Sequence, residues 1–224
     1  TTTPWTLQSN LAIAVHPEIT YAKVLVHLHG KDQVLIIAEP LVEQVIATLG
    51  KTSEITFKQI LETLQGSQLS GTKYRHIYEA ETPSQQQFLT QPYHHLHSVI
   101  LADFVTLGEG EGVLDKLEKK SYKHSNKDTG EQEGTSSEDS PAKADGTGLV
   151  HIAPGHGFDD YEVGKVHGLP VFSPVNEKGM MTEGKFAGLY FKDVDPKAIT
   201  YLKERGYLLH DDRKTHKYPC CWRC

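Results

Sequence analysis

Val24, Val26 and Leu28 alternate with Lys23, Leu25 and His27, which puts an unbroken apolar row on one side. A period of two predicts a half-buried strand. An apolar run, Leu11 to Val15, precedes it and ends at His16-Pro17. Gly30-Lys31-Asp32 predicts a hairpin turn into a further strand over Val34 to Ala38. The period changes at Pro40. Leu41, Val42, Val45, Ile46 and Leu49 recur every three or four positions, Pro40 suits a first helical turn and Gly50 follows the last apolar residue, which predicts an amphipathic helix. The next segment reads the same way: Thr56 and Gln59 have capping-box spacing, Phe57, Ile60, Leu61 and Leu64 form a stripe, and Gly66 closes a second helix. Ser98 to Val105 and Leu149-Val150 with Ile152 read as strands. Tyr161, Val163 and Val166 suggest a helix behind Asp159 and Asp160, whose charge suits the positive end of its dipole. Asp195-Pro196 reads as an N-cap and first helical residue, with Ala198, Ile199 and Leu202 buried, Gly206 ending the helix and Tyr207 to His210 returning as a short strand.

A chain of 224 residues is long enough for a substantial core, and it contains no apolar run near membrane-spanning length and no secretion-signal pattern. The net charge of −6 supplies no global basic field, so an RNA partner would meet a local patch, and nothing favours DNA or a membrane. The chain opens on Thr inside a motif, as a piece cut from a longer protein would. From 116 to 145 the composition turns to Lys, Glu, Ser, Gly, Asp, Gln and Thr. That stretch cannot bury enough surface to offset its ordering entropy and reads as an inserted disordered loop within a single domain, 1 to 224.

Candidate chemistry concentrates in Gly146 to Tyr161, GTGLVHIAPGHGFDDY. Pro154, Gly155 and Gly157 force a turn after the strand, which brings His151, His156, Asp159 and Asp160 together. Asp at a helix start is also an ordinary cap, and His in an apolar strand an ordinary core residue. His27 with His29, and Tyr93-His94-His95-Leu96-His97, read as strand and loop histidines rather than metal sites. All three cysteines lie in the last five residues. Cys221 and Cys224 form a CxxC, half of a tetrahedral zinc site, so 216 to 224 reads as half a zinc ribbon and no metal is expected here.

The Gly146 to Tyr161 segment resembles the substrate-binding loop of the editing domain of isoleucyl-tRNA synthetases, and TTTPWTLQSN at residues 1 to 10 resembles that domain's threonine-rich loop. Thr1-Thr2-Thr3-Pro4-Trp5 and His151 favour the isoleucyl type over its valyl and leucyl sisters. NEKGMMTEG, the KERG stretch and THKYPCCWRC extend the resemblance to nearly the whole chain, the 116 to 145 insertion being a departure from the family. Tyr74 to Tyr78 corresponds to a Tyr-x-His-Pro-like strand without its Pro, and Gln8 and Phe158 also depart from the family pattern.

The resemblance implies a mainly β, β-barrel-like α+β domain with peripheral helices and an aminoacyl-tRNA hydrolase activity that removes valine from mischarged tRNA(Ile). Asp160, His151, Thr2 and Thr3 are the implied catalytic residues. Thr1, Trp5, Asn10, Gly155, His156 and Asp159 are the implied substrate-binding set. Within the set, Asp160 would grip the substrate ammonium, the threonines would fix the ester and terminal adenosine, and His151 would shape the side-chain pocket rather than act as a base. No cofactor is implied for editing, and zinc only in the full-length protein. The implied partners are valine-charged tRNA(Ile) and the catalytic domain of the same synthetase. The chain has neither the HIGH-like nor the KMSKS-like sequence of class I ligase sites. A non-catalytic tRNA-end or protein-binding module of the same fold, or a valyl- or leucyl-type editing domain, is the alternative. The insertion favours a mitochondrial or other organellar source over a cytoplasmic one.

Overall fold

The computed structural model describes residues 1–51, 54–107 and 146–212. The predicted insertion at 116 to 145 and the half zinc ribbon with Cys221 and Cys224 lie outside the described residues.

Two small sheets organise the domain. In the first, β1 (Ala12–Val15) is central, pairing in parallel with β5 (Ser98–Leu101) and antiparallel with β6 (Val150–Ile152). The second is antiparallel, with β2 (Thr20–Leu28) between β3 (Lys31–Ala38) and β4 (Ile55–Gln65). The α+β class therefore holds, built from two three-stranded sheets with no closed barrel among the described residues. The alternation in β2 buries Val24, Val26 and Leu28 against α1 (Val42–Leu49), where Leu41, Val42, Val45 and Ile46 complete the first core cluster. The β2–β3 turn falls on His29 and Gly30, both at positive φ, one residue earlier than expected.

The second predicted helix is the strand β4. Phe57, Ile60 and Leu61, placed on a buried stripe by their spacing, are about half exposed. Two irregularities in the β2–β4 register explain the spacing: Phe57 faces Val26 and Ile60 faces Val24, so three residues of β4 cover two of β2. A bulged strand thereby acquires an apolar period of three that imitates a helix.

Other expectations also shift. Residues 74 to 78 form no strand, and Tyr207 to His210 run as irregular backbone. The strand after the histidine cluster ends at Leu101. Helix α2 (Gly66–Leu69) is a single turn, and α3 (Pro83–Leu89) begins on a proline. Helix α5 (Val194–Glu204) starts one residue before Asp195, which does not cap it; the carboxylate accepts from Trp5 N–H at 2.8 Å instead. That bond ties the threonine-rich turn to a core formed by Tyr78, Met181, Phe186, Val194, Ala198, Tyr201 and Leu202.

The loop after β6 packs tightly on the rest of the fold. A Cβ on Gly155 would lie 2.1 Å from the Phe172 carbonyl oxygen, a backbone atom with little room to retreat. Gly155→Ala is expected to cost about 1–3 kcal/mol, the range for overpacking a filled site, read as a lower urea midpoint with an unchanged slope.

Candidate active site

The threonine-rich segment folds as a 3-10 turn, Pro4–Ser9, that Pro4 initiates and that places Thr6, Gln8 and Ser9 in the interior. The β1–β6 pairing sets Ile13 beside His151, so the first loop lies against the strand end carrying His151. His151 Nε2 lies 3.1 Å from Thr6 Oγ1, and His151 Nδ1 lies 2.7 Å from Asn10 Nδ2. A second link joins Ser9 Oγ to His156 Nε2 at 2.8 Å, and the Trp5 ring meets the His156 ring edge-on at 4.8 Å. The two motifs that the sequence singled out, some 140 residues apart, come together.

The chemistry of the partners fixes the protons. Asn10 Nδ2 donates to the Ala12 carbonyl at 2.8 Å, which orients the amide, so the same nitrogen donates to His151 Nδ1. The His151 proton therefore resides on Nε2 and is donated to Thr6 Oγ1. Thr6 gives its own hydroxyl proton to the Thr3 carbonyl at 2.8 Å, leaving its oxygen to accept from Thr3 Oγ1 at 3.3 Å. Thr1 Oγ1 lies 3.3 Å from Thr3 Oγ1 and accepts from Thr3 N–H, while Thr2 is exposed. Burial above all holds the His151 pKa down to about 4, so the ring is neutral near pH 7. A neutral imidazole whose basic nitrogen is already occupied is poorly suited to act as a general base.

Helix α4 (Phe158–Val166) carries both aspartates in its first turn, capped by Gly157 without a side-chain bond. Asp160 is not its N-cap: Oδ2 reaches back to accept from Ala153 N–H at 3.0 Å, pinning the loop after β6. Burial raises the Asp160 pKa, the Ala153 bond opposes that shift and the Asp159 charge reinforces it. Asp159 Oδ1 is buried without a hydrogen-bond partner among the described residues. Burial also lowers the pKa of His156. Gly155 serves packing against Phe172, as above, and Phe158 is 46% exposed. Gln8 is fully buried and donates to the Glu183 carbonyl at 2.7 Å.

Beside His151 lies a largely apolar cavity of about 360 Å³, lined by Leu7, Asn10, Ile13, Tyr74, Arg75, His76, Ile77, Leu149 and His151. Behind it, Gln85 is completely buried. Its amide nitrogen donates to the Gln8 and Asn10 carbonyls at 3.1 and 3.0 Å, and its oxygen lies 2.9 Å from His97 Nε2. His76 and His97 stack at 4.9 Å. His76 Nδ1 accepts from Tyr78 N–H, while Nε2 faces the Leu7 carbonyl outside hydrogen-bond geometry. Burial depresses both pKa values, to about 3 for His76 and about 4 for His97, and the Lys73 ammonium adds to the shift of His97.

Sequence reasoning missed Thr6, Ser9, Tyr74 and Asp195, which support the two loops. Thr6 and Ser9 fall within the quoted motif and were legible as candidates. Tyr74 and Asp195 lie 64 and 190 residues from their partners, a relation that only the fold supplies. Among the described residues no group of three or more His, Cys, Asp or Glu is arranged to hold a metal ion, and no helix is long and apolar enough to cross a membrane.

The fold is similar to the crystal structure of GlLeuRS-CP1, with a TM-score of 0.55 at 16% identity, covering 96% of this chain and 83% of that one. The class is thus the CP1 fold. No protein-family model matches the chain. Over its whole length it is 42% identical to isoleucine–tRNA ligase of Pyrococcus horikoshii and 43% identical to that of Thermococcus kodakarensis, spanning 17% of each. It is 40% identical to isoleucine–tRNA ligase of Methanocaldococcus jannaschii, again over its whole length and 18% of that protein. The chain is a CP1 domain of the isoleucyl-tRNA synthetase family, spanning less than a fifth of these relatives' length.

Proposed function

We propose that this domain hydrolyses the ester of valyl-tRNA(Ile), releasing valine and tRNA. The observation that carries the reading is the joined pair of loops, with His151 bonded to Thr6, His156 bonded to Ser9, and the partly buried Asp160 carboxylate held at the strand end between them. The homology to isoleucine–tRNA ligases supplies the amino acids to be told apart. Isoleucine and valine differ by one methylene, worth about 1–3 kcal/mol in a pocket, and this enzyme is itself the standard illustration of that limit. A second site that destroys the smaller product overcomes it.

Ester hydrolysis needs a held ammonium, an attacking water and stabilisation of the developing oxyanion. Asp160 presents the carboxylate for the ammonium. The hydroxyls of Thr2 and Thr3 hold the ester and terminal adenosine, and Thr3 Oγ1, having given its proton to Thr6, accepts from a bound hydroxyl or water. The apolar cavity takes the aliphatic side chain. Its volume does not by itself separate valine from isoleucine, so exclusion falls to the fixed ring of His151. Water, oriented by these groups and by hydroxyls of the tRNA end, is the nucleophile. No cofactor takes part, and any zinc belongs to the C-terminal CxxC in the full-length protein. Valine-charged tRNA(Ile) and the catalytic domain of the same synthetase are the partners. The test is release of labelled valine from valyl-tRNA(Ile) against retention of isoleucine on isoleucyl-tRNA(Ile). Binding of both without release would instead make the domain a tRNA-end binding module.

A further inference from the structure

Tyr74 donates its hydroxyl proton to Asn10 Oδ1. Asn10 is 8% exposed, and its amide is fully used: the oxygen takes the Tyr74 proton, one N–H goes to the Ala12 carbonyl and the other to His151 Nδ1. The Ala12 carbonyl decides which end of the amide faces the histidine. Tyr74 holds the opposite end and so fixes the amide's rotation. Burial raises the Tyr74 pKa, which keeps this phenol a donor.

We infer that Tyr74 is a positioning residue: acting through Asn10, it holds His151 as the Nε2–H tautomer, so that Nε2–H is directed at Thr6 and the Thr6 hydroxyl keeps its own proton on the Thr3 carbonyl, which fixes the threonine turn at the reaction surface. The inference concerns the site of the proposed ester hydrolysis and rests on that reading for its catalytic consequence, but not for its structural one. Thr6 Oγ1 gives its single proton to the Thr3 carbonyl, so its remaining contacts must be donors to it. The other tautomer would turn a bare Nε2 lone pair toward Thr6. Thr6 would then have to turn its proton from the Thr3 carbonyl to the ring, breaking the side-chain bond that holds the threonine turn, although its oxygen could still accept from Thr3 Oγ1. Proton placement on His151 is thereby coupled, through the Thr6 hydroxyl, to the Thr3 carbonyl and so to the threonine turn, and Tyr74 sets it through Asn10. Neither Tyr74 nor Asn10 need touch the ester for this to hold.

The test has a spectroscopic arm and a kinetic arm, both on the 224-residue chain with histidine labelled with nitrogen-15. In the unmodified chain His151 should show a pyridine-type Nδ1 and a pyrrole-type Nε2 resonance at neutral pH. Asn10→Asp replaces the donor facing Nδ1 by an acceptor, so the proton should move to Nδ1 or the ring should become charged, with its titration shifted upward. Tyr74→Phe keeps the ring and removes only the donor, so the two His151 nitrogen resonances should move toward each other as the tautomers mix. In valyl-tRNA(Ile) deacylation under single turnover, Tyr74→Phe should lower the rate about two- to ten-fold, the scale of one neutral hydrogen bond, without weakening tRNA binding. Asn10→Asp should lower it more.

A pyrrole-type Nδ1 in the unmodified chain overturns the inference without any variant. So do His151 resonances in Tyr74→Phe that match the unmodified chain. If the resonances behave as expected but the unmodified chain releases no valine, the hydrolytic reading fails and the tautomer control stands. If valine is released at the same rate by both variants despite altered resonances, the positioning role is overturned while the hydrolytic reading survives.

Discussion

Asp160→Asn is expected to lower the rate of valyl-tRNA(Ile) hydrolysis about ten- to a hundred-fold and to leave the fold nearly unchanged. The carboxylate has two separable jobs. One is structural: Oδ2 accepts from Ala153 N–H at 3.0 Å, and Ala153 is 1% exposed. The amide oxygen of Asn still fills that role. The other is charge, offered to the substrate ammonium, and a hydrogen bond to a charged group is worth roughly 1.5–3 kcal/mol. Asp160→Ala removes both, leaving a buried N–H without its partner and costing about 1–3 kcal/mol of folding as well as the rate. The neighbouring Asp159→Asn is the comparison and should lose less of the rate than Asp160→Asn, since only Asp160 is assigned to the ammonium. Urea unfolding and single-turnover deacylation on the three variants separate the roles. Normal hydrolysis by Asp160→Asn would remove this carboxylate from the mechanism.

Acid should destabilise the domain well before its carboxylates titrate. His76, His97 and His151 are buried and neutral, with pKa values held to about 3, about 4 and about 4, against 6.5 for an unperturbed imidazole. His156 is shifted the same way by burial. Between these limits the unfolded chain binds protons that the folded chain refuses, so stability is fully present above about pH 6.5 and is lost as pH falls toward 4. Each such histidine contributes a slope of about 1.4 kcal/mol per pH unit across its window. Burial raises the pKa of Asp160 and of Asp195, and these act in the opposite sense, their stability contribution falling as pH rises through the carboxylate range. The two carboxylates are outnumbered by the four histidines. Unfolding free energies measured in urea at about pH 7, 6 and 5 should fall with steepening slope, and a flat profile would mean that the cluster accepts protons when folded.

The sequence carried the punctuation of the fold more faithfully than its pairing. Pro40 and Gly50 bounded a helix that forms, at Val42–Leu49, and the Pro154 to Gly157 turn delivers Phe158–Val166 as expected. The β4 strand was illegible for a reason that lies in its partner. Opposite β2 its register slips twice, and the extra residues put Phe57 and Ile60 three apart on one side, the spacing of a helix. Asp195 illustrates a different limit. An Asp-Pro pair has the local form of a cap, but Trp5 N–H, 190 residues away, claims the carboxylate. In the site, the two motifs and their meeting were readable from residue types and order. The tautomer of His151 was not, because it follows from Asn10, Ala12, Thr6 and Tyr74 acting together, and these become neighbours only when β1, β6 and the 3-10 turn are assembled.

The central claim is that the joined loops around His151 and Asp160 cleave a valyl ester and spare an isoleucyl one. Single-turnover deacylation of valyl-tRNA(Ile) and isoleucyl-tRNA(Ile), prepared on the same tRNA and mixed with an excess of the protein, measures this directly. The account predicts rapid release of valine, slow release of isoleucine, and loss of the valine rate in Asp160→Asn. Equal rates for the two amino acids, or no release of valine above the uncatalysed rate by folded protein that binds the tRNA, would contradict it.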